Sequence, residues 1–187
     1  MKKLMAATGI ALAWAITPLT VSAVTLTPAP PAGATCQSSP QQTVCMWEEH
    51  FATPFPVPYG VSCGAFTVRV NLAGERDVTA FYDENGLLVR RILHSSYVGT
   101  LINSVTSATV PHRGLFTIFD DLSAGTRTIT GMLSRTVIDG DGLVWRNIGR
   151  IVTSLQNGSV LFEAGEHGTW DVGADPGVAA ELCADLS

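Results

Sequence analysis

Apolar and polar residues alternate along this chain from Ala65 for about a hundred residues, and this alternation limits the folds open to it. In the segment 66–72, for example, every second residue from Phe66 to Leu72 is apolar. Successive side chains of a strand point to opposite faces of a sheet, whereas a helix needs apolar residues three and four positions apart. The pattern therefore predicts half-buried antiparallel strands.

Eight or nine strands follow from this pattern, and residues that favour turns separate most of them. Asn85-Gly86 and Asn157-Gly158 suit tight hairpin turns, because both residue types readily adopt left-handed backbone conformations. A further turn is predicted at 74–76, and Gly131, inside the longest strand, predicts a bulge or bend. The predicted strands are 66–72, 78–83, 87–94, 97–102, 108–110, 115–119, 126–137, 143–153 and 159–164.

The order of these strands predicts an all-β domain built as a single antiparallel meander. An up-and-down β-barrel is the favoured architecture, because closure removes the sheet edges that would pair with other chains. A two-sheet β-sandwich is the alternative. The interior of such a barrel is either filled by side chains or open to one small ligand. A short C-terminal helix is predicted from Pro176, with Asp175 as its N-cap.

The chain begins with the features of a secretory signal peptide. Lys2-Lys3 form a cationic start, 4–19 is mostly apolar, and Val21 and Ala23 are small residues at the positions that signal peptidase reads. We predict cleavage after Ala23 and a secreted, extracellular protein. The apolar stretch is too short for a membrane anchor, and Cys36 lies too far beyond Ala23 for a lipid anchor.

Residues 24–60 have a different composition from the segments on either side. They are rich in proline, and Pro54, Pro56 and Pro58 at alternate positions exclude a helix interior or a central strand. We predict a Pro-rich extended N-terminal arm here. The predicted organisation is thus a signal peptide at 1–23, the arm at 24–60 and a β-barrel-like domain at 61–187, long enough to bury one hydrophobic core.

All four cysteines lie beyond the predicted signal peptide, which indicates two disulfides in an exported protein. Three pairings are possible. The short spacing between Cys36 and Cys45 favours a small loop closed by these two, which leaves Cys63 to pair with Cys183. Free or metal-binding thiols are disfavoured, because the chain has no C-x-x-C pair and export disfavours thiols.

The charge of the chain bears on its partners. Both lysines lie in the predicted signal peptide, so residues 24–187 carry nine arginines against sixteen acidic residues, a formal charge of −7. Nucleic acid and anionic membranes are poor partners for such a surface unless its arginines cluster.

Sequence motifs give no positive indication of catalysis. We predict no catalytic, cofactor-binding or metal site, because no histidine, cysteine or serine spacing matches a metal or nucleophile motif. His94, His112 and His167 would need closure of the fold to meet acids such as Asp120, and separate histidines are the favoured interpretation. The Asp-Gly repeat at 139–142 lacks the further acidic ligands of a calcium loop and is read as a turn.

Four segments carry a resemblance to other proteins: CGAFTV at 63–68, FYDENG at 81–86, IGRIV at 148–152 and VLFEAGEH at 160–167. They resemble small secreted β-rich proteins of high-GC Gram-positive bacteria, a group of uncharacterised function. The resemblance implies export and a domain running from Cys63 to Cys183. It transfers no catalytic residue.

The expected function is that of a secreted, non-enzymatic binding protein that holds a small apolar ligand or an extracellular partner at the barrel mouth. Glu163, Glu166, His167 and Trp170, at the end of the last predicted strand, form a candidate rim site, although a polar strand end is the simpler interpretation. Two alternatives stay open: an isomerase or cyclase type of barrel enzyme, which fold analogy alone supports, and a structural or envelope-associated protein. The sequence leaves the oligomeric state open.

Overall fold

The computed structural model describes residues 24–138, 142–166 and 176–187, and 67% of these residues are in strands. The predicted signal peptide lies outside the described residues. One short helix, α1, spans Pro176–Asp185 at the C-terminus, so the predicted all-β class with a C-terminal helix is confirmed. The strands are β1 Thr35–Ser38, β2 Gln42–Ala52, β3 Val57–Ser62, β4 Thr67–Asp83, β5 Leu88–Asn103, β6 Thr109–Asp121, β7 Thr126–Ile138, β8 Gly142–Ser154 and β9 Val160–Glu166.

All nine strands belong to one antiparallel sheet, in the order β1-β2-β4-β5-β6-β7-β8-β9. Strand β4 is long enough to pair with two strands along the same edge, β3 near its start and β2 over the rest. Among the described residues no ladder joins β1 to β9, so the sheet is not closed. The antiparallel meander is confirmed, whereas the preference for a barrel over a sandwich stays a prediction.

The nine strands predicted from residue 66 onwards correspond to six strands of the structure, β4 to β9, because three predicted pairs of strands are each one continuous strand. The turn predicted at 74–76 is wrong, because β4 runs through it as part of a strand of 17 residues. Gly74 pairs with Phe51 on one side and Tyr97 on the other. A Cβ on Gly74 would lie 2.7 Å from the Phe51 ring. The glycine therefore does not form a turn but leaves space for the neighbouring aromatic ring. The predicted breaks inside β5 and β6 are wrong as well.

The predicted arm at 24–60 contributes β1, β2 and β3 to the sheet. Strand β2 pairs along its whole length with β4, from Gln42 opposite Asp83 to Ala52 opposite Ala73. Six of the seven prolines in this segment lie outside the strands, and Pro58 lies in β3, which pairs with β4 alone. This position agrees with the confinement of strand prolines to sheet edges.

The alternation gives the sheet two faces, which we name by their burial. The inner face carries buried apolar residues such as Val70, Val78 and Leu101, and the outer face carries exposed residues such as Val98. Helix α1 covers one end of the inner face, where Leu182 packs with Val68, Leu101 and Val110. No helix among the described residues is long and apolar enough to cross a membrane.

Two disulfides fix parts of this sheet, and both are the pairs expected from the sequence. Cys36–Cys45 joins opposed residues of β1 and β2. Cys63–Cys183 ties the β3–β4 connection to α1 across a sequence separation of 120 residues. In the chain-entropy model a loop of this size is worth about 4 to 5 kcal/mol of stability. The second bridge therefore holds the helix against the inner face.

Candidate functional site

The predicted rim site lies at the far edge of the sheet. Glu163 is an exposed residue of β9, and Glu166 is the last residue of that strand. His167 and Trp170 lie outside the described residues. The rim site therefore stays a prediction.

The sheet separates two of the histidines considered above. His94 is exposed on the outer face, where its Nδ1 lies 3.0 Å from Thr117 Oγ1. His112 is buried on the inner face. His167 lies outside the described residues. Because a sheet lies between the first two side chains, they do not form a joint metal or acid–base site.

His112 is the centre of a polar network on the inner face. Its Nε2 lies 3.2 Å from the Tyr97 hydroxyl and its Nδ1 lies 3.3 Å from Thr136 Oγ1. Tyr97 donates to the Leu133 carbonyl oxygen at 2.8 Å, and Tyr59 contacts the imidazole edge-on. Burial lowers the pKa of His112 to about 4, which keeps the ring neutral at pH 7. Both ring nitrogens face hydroxyl groups, so the network orders the interior.

A second polar group on the inner face joins β5, β6 and β7. Asp120 pairs with Arg91 on one side and Arg127 on the other. Arg127 donates to both carboxylate oxygens, at 2.7 and 3.0 Å, and Arg91 donates to Oδ2 at 2.8 Å. Burial raises the pKa of Asp120, but hydrogen bonds and charge from the two arginines outweigh burial and hold the pKa below its usual range. We call this set the inner arginine row.

A groove of about 520 Å³ lies on the opposite, outer face, where β2, β4, β5, β6 and β7 run side by side. Val98, Leu115 and Met132 give it an apolar floor. Val98 is 67% exposed and Leu115 is 62% exposed, so this floor is open to solvent. The groove is the best candidate site among the described residues, because it combines concavity with uncovered apolar surface.

A β-bulge accounts for the local bend of the sheet. Between the pairs Arg113–Arg135 and Leu115–Met132, β6 contributes one residue and β7 contributes two. The extra residue is Leu133, which is buried. A bulge bends the strand that carries it and increases its twist, so this one bends β7 at the margin of the groove.

The end of the groove near β2 is acidic and contains a histidine. Glu48, His50 and Glu75 are exposed there, and their ligand atoms lie within 4.8 Å of one another. His50 Nε2 lies 3.0 Å from Glu48 Oε1, and Ser96 donates to Glu75 Oε1 at 3.4 Å. Carboxylates and an imidazole are common metal ligands, and this is the place in the described residues where three such side chains lie together. This cluster was not predictable from the sequence, because Glu75 approaches Glu48 and His50 only through the register of β2 with β4.

The opposite side of the groove is basic. Arg113 of β6 pairs with Arg135 of β7, which pairs in turn with Arg146 of β8. We call these three side chains the outer arginine row. Without the bulge at Leu133, a regular ladder would place Arg135 opposite His112 on the inner face. The row was not predictable from the sequence, because Arg135 shares a face with Arg113 only after the bulge shifts the alternation of β7 by one residue.

Comparison with known proteins does not assign a family to the chain or a ligand to this groove. No protein-family model matches the chain, and neither a curated protein nor a solved structure matches it. The resemblance to small secreted β-rich bacterial proteins therefore stays a prediction.

Proposed function

We propose that this protein is a secreted, non-enzymatic binding protein that holds a small, largely apolar molecule in the outer groove. The observation that carries the proposal is the uncovered apolar floor of the groove, formed by Val98, Leu115 and Met132. Large apolar side chains left in contact with water at the bottom of a concavity gain free energy when a ligand covers them.

The size and lining of the groove support a small molecule as the ligand. Its volume of about 520 Å³ falls within the range of about 300 to 1,000 Å³ that is usual for small-molecule sites. Polar groups stand at its margins, with Glu75 on one side and Arg113 on the other. An apolar floor with a few polar groups at its edge is the usual composition of such sites.

The two disulfides support the secreted part of the proposal, because such bonds persist mainly in oxidising compartments. The predicted signal peptide at 1–23 supports it as well. Residues 24–187 contain no lysine and carry an excess of acidic residues, which makes them a poor general binder of nucleic acid and favours a small ligand over that class of partner.

The proposal is tested with N-phenyl-1-naphthylamine, an uncharged fluorophore that brightens in apolar surroundings. The protein is collected from the medium of expressing cells, where we expect a chain that begins at Val24. We expect saturable binding of the fluorophore by the wild type. Leu115→Glu should weaken it about tenfold or more, because the substitution replaces apolar floor with a charge.

Val105→Glu is the matched control, since Val105 is 70% exposed and lies in the turn after β5, outside the groove. It should bind the fluorophore as the wild type does. Circular dichroism of both variants checks that they keep the strand content of the wild type. Equal binding by wild type and Leu115→Glu, or no saturable binding at all, would overturn the proposal.

A further inference from the structure

We infer that the ligand of the groove is an amphipathic oxyanion, an apolar body that carries a carboxylate, and that the outer arginine row binds its charged end. This inference rests on the proposed function and adds the chemical class of the ligand. It starts from the register of β6, β7 and β8, which places Arg113, Arg135 and Arg146 directly across from one another.

Arg113 and Arg135 are like charges directly opposite each other, and such a pair destabilises a sheet. The span from the first to the third arginine is two strand spacings, about 10 Å. Within the described residues no carboxylate lies within 4.0 Å of the guanidinium group of Arg113 or Arg135. An oxyanion placed over the row would relieve this repulsion and accept paired N–H donors from the planar guanidinium groups.

The inner arginine row shows what such an arrangement looks like when the protein provides the anion. There Asp120 stands between Arg91 and Arg127 and accepts hydrogen bonds from both. In the outer row the central position is held by Arg135 instead of a carboxylate. The outer row therefore differs from the inner row in its central residue, which is an arginine where the inner row has a carboxylate.

An apolar row runs beside the outer arginine row on the same face. Leu115 pairs with Met132, and Met132 pairs with Ile148. Leu115 is two positions along β6 from Arg113, or about 7 Å. Leu115 is 62% exposed and Ile148 is 38% exposed. One molecule can therefore cover the apolar row with its body while its charged end reaches the arginines.

The acidic end of the groove sets the orientation of such a ligand. Glu75 and Glu48 lie towards β2, on the side away from β7 and β8. A carboxylate is repelled by these groups and attracted by the arginines, so its charged end points towards β6 and β7. An uncharged molecule of the same shape has no such preference.

The test is competition against bound N-phenyl-1-naphthylamine by two molecules of equal chain length, decanoate and 1-decanol. We expect decanoate to displace the fluorophore at a concentration about tenfold lower than 1-decanol does at low salt. Raising the ionic strength from about 0.02 M to about 0.5 M should remove most of that advantage, because the arginine row is open to solvent. Inorganic phosphate alone should not displace the fluorophore.

The variants Arg113→Gln and Arg135→Gln should each remove most of the preference for decanoate over 1-decanol, with both displacing concentrations corrected for the affinity of that variant for the fluorophore. Arg69→Gln is the matched control, since Arg69 is exposed in the same sheet but does not line the groove. It changes the net charge equally and should keep the preference.

Two results would overturn the inference while the proposed function stands: equal displacement by decanoate and 1-decanol, or an equal loss of preference in Arg69→Gln. Displacement by phosphate as effective as displacement by decanoate would also overturn it, because the apolar body would then contribute nothing. Failure of the fluorophore itself to bind would instead remove the proposed function on which the inference rests.

Discussion

The two arginine rows lie on opposite faces of the same sheet and use the same side chain in opposite ways. In the inner row, Asp120 is 3% exposed and is held between Arg91 and Arg127, whose side chains are each 36% exposed. In the outer row, arginines occupy all three positions, and Arg113 is exposed. The inner row contains its own counter-charge, whereas no carboxylate among the described residues lies within 4.0 Å of the guanidinium group of Arg113 or Arg135.

The difference separates stability from binding. A buried carboxylate between two arginines ties three strands together, and removing it leaves positive charges partly buried and unpaired. The opposed like charges of Arg113 and Arg135 contribute no such tie and cost stability through repulsion. We therefore expect substitutions in the inner row to act on folding and substitutions in the outer row to act on ligand preference.

The largest effect is expected from Asp120→Asn, which removes the anion of the inner row. We expect the free energy of unfolding to fall by about 3 kcal/mol, since the asparagine leaves Arg91 and Arg127 without their counter-charge. Denaturation by urea measures the change. Glu84→Gln, at an exposed turn position, is the control and should change stability by less than about 0.5 kcal/mol. A loss as small as the control's would contradict the structural role of the inner row.

A smaller effect is expected from mild acid, and it should arise on the inner face. The pKa of His112 in the folded protein is about 4, below its ordinary value of 6.5, so as pH falls through 6.5 the unfolded chain takes up a proton that the folded protein does not. Stability is therefore lost from about pH 6.5 down to about pH 4. Between pH 7 and pH 5 the loss should be about 2 kcal/mol.

This pH dependence is measured by urea denaturation at several pH values. The slope should disappear in His112→Gln and persist in His94→Gln, whose histidine is exposed on the outer face. Asp120 does not account for the slope, because its pKa lies below the usual range and its stabilising effect is lost only at lower pH. The same slope in both variants would show that another group titrates.

The smallest effect on stability is expected from Arg135→Gln, the central position of the outer row. Removal of one like charge should leave the free energy of unfolding unchanged or raise it by up to about 0.5 kcal/mol. Arg127→Gln, the matched change in the inner row, should lower it by about 1 to 2 kcal/mol, reduced from the value for a fully buried pair by solvent screening. Equal losses in the two variants would remove the distinction between the rows.

Features that depend on nearby residues were predictable from the sequence. The turn at Asn85-Gly86 forms as expected, with Gly86 at a φ of +80° and the Asp83 carboxylate accepting from the amides of Asn85 and Leu87. The strands 126–137 and 143–153 were predicted to within about a residue of β7 and β8. Turn chemistry and side-chain alternation are local, so they can be read without knowledge of the neighbouring strands.

The candidate site was not predictable in the same way. The groove, its acidic end and the outer arginine row each combine residues from strands far apart in the chain. Alternation identified Val98 and Leu115 as strand residues, but it does not indicate which of them stay uncovered. Gly74 was interpreted as a turn residue because its role depends on the close approach of Phe51, Ser96 and Tyr97, which lie on neighbouring strands.

The alternation that opens this chain's β-rich region was enough to fix the all-β class and the antiparallel meander, because successive side chains of a strand point to opposite faces and short turns connect the strands. The assignment of side chains to one site required the pairing of the strands. A single extra residue, Leu133, changes the phase of β7 and moves Arg135 from the face of His112 to the face of Arg113. Register is a property of two strands together, so this change is invisible in either strand alone.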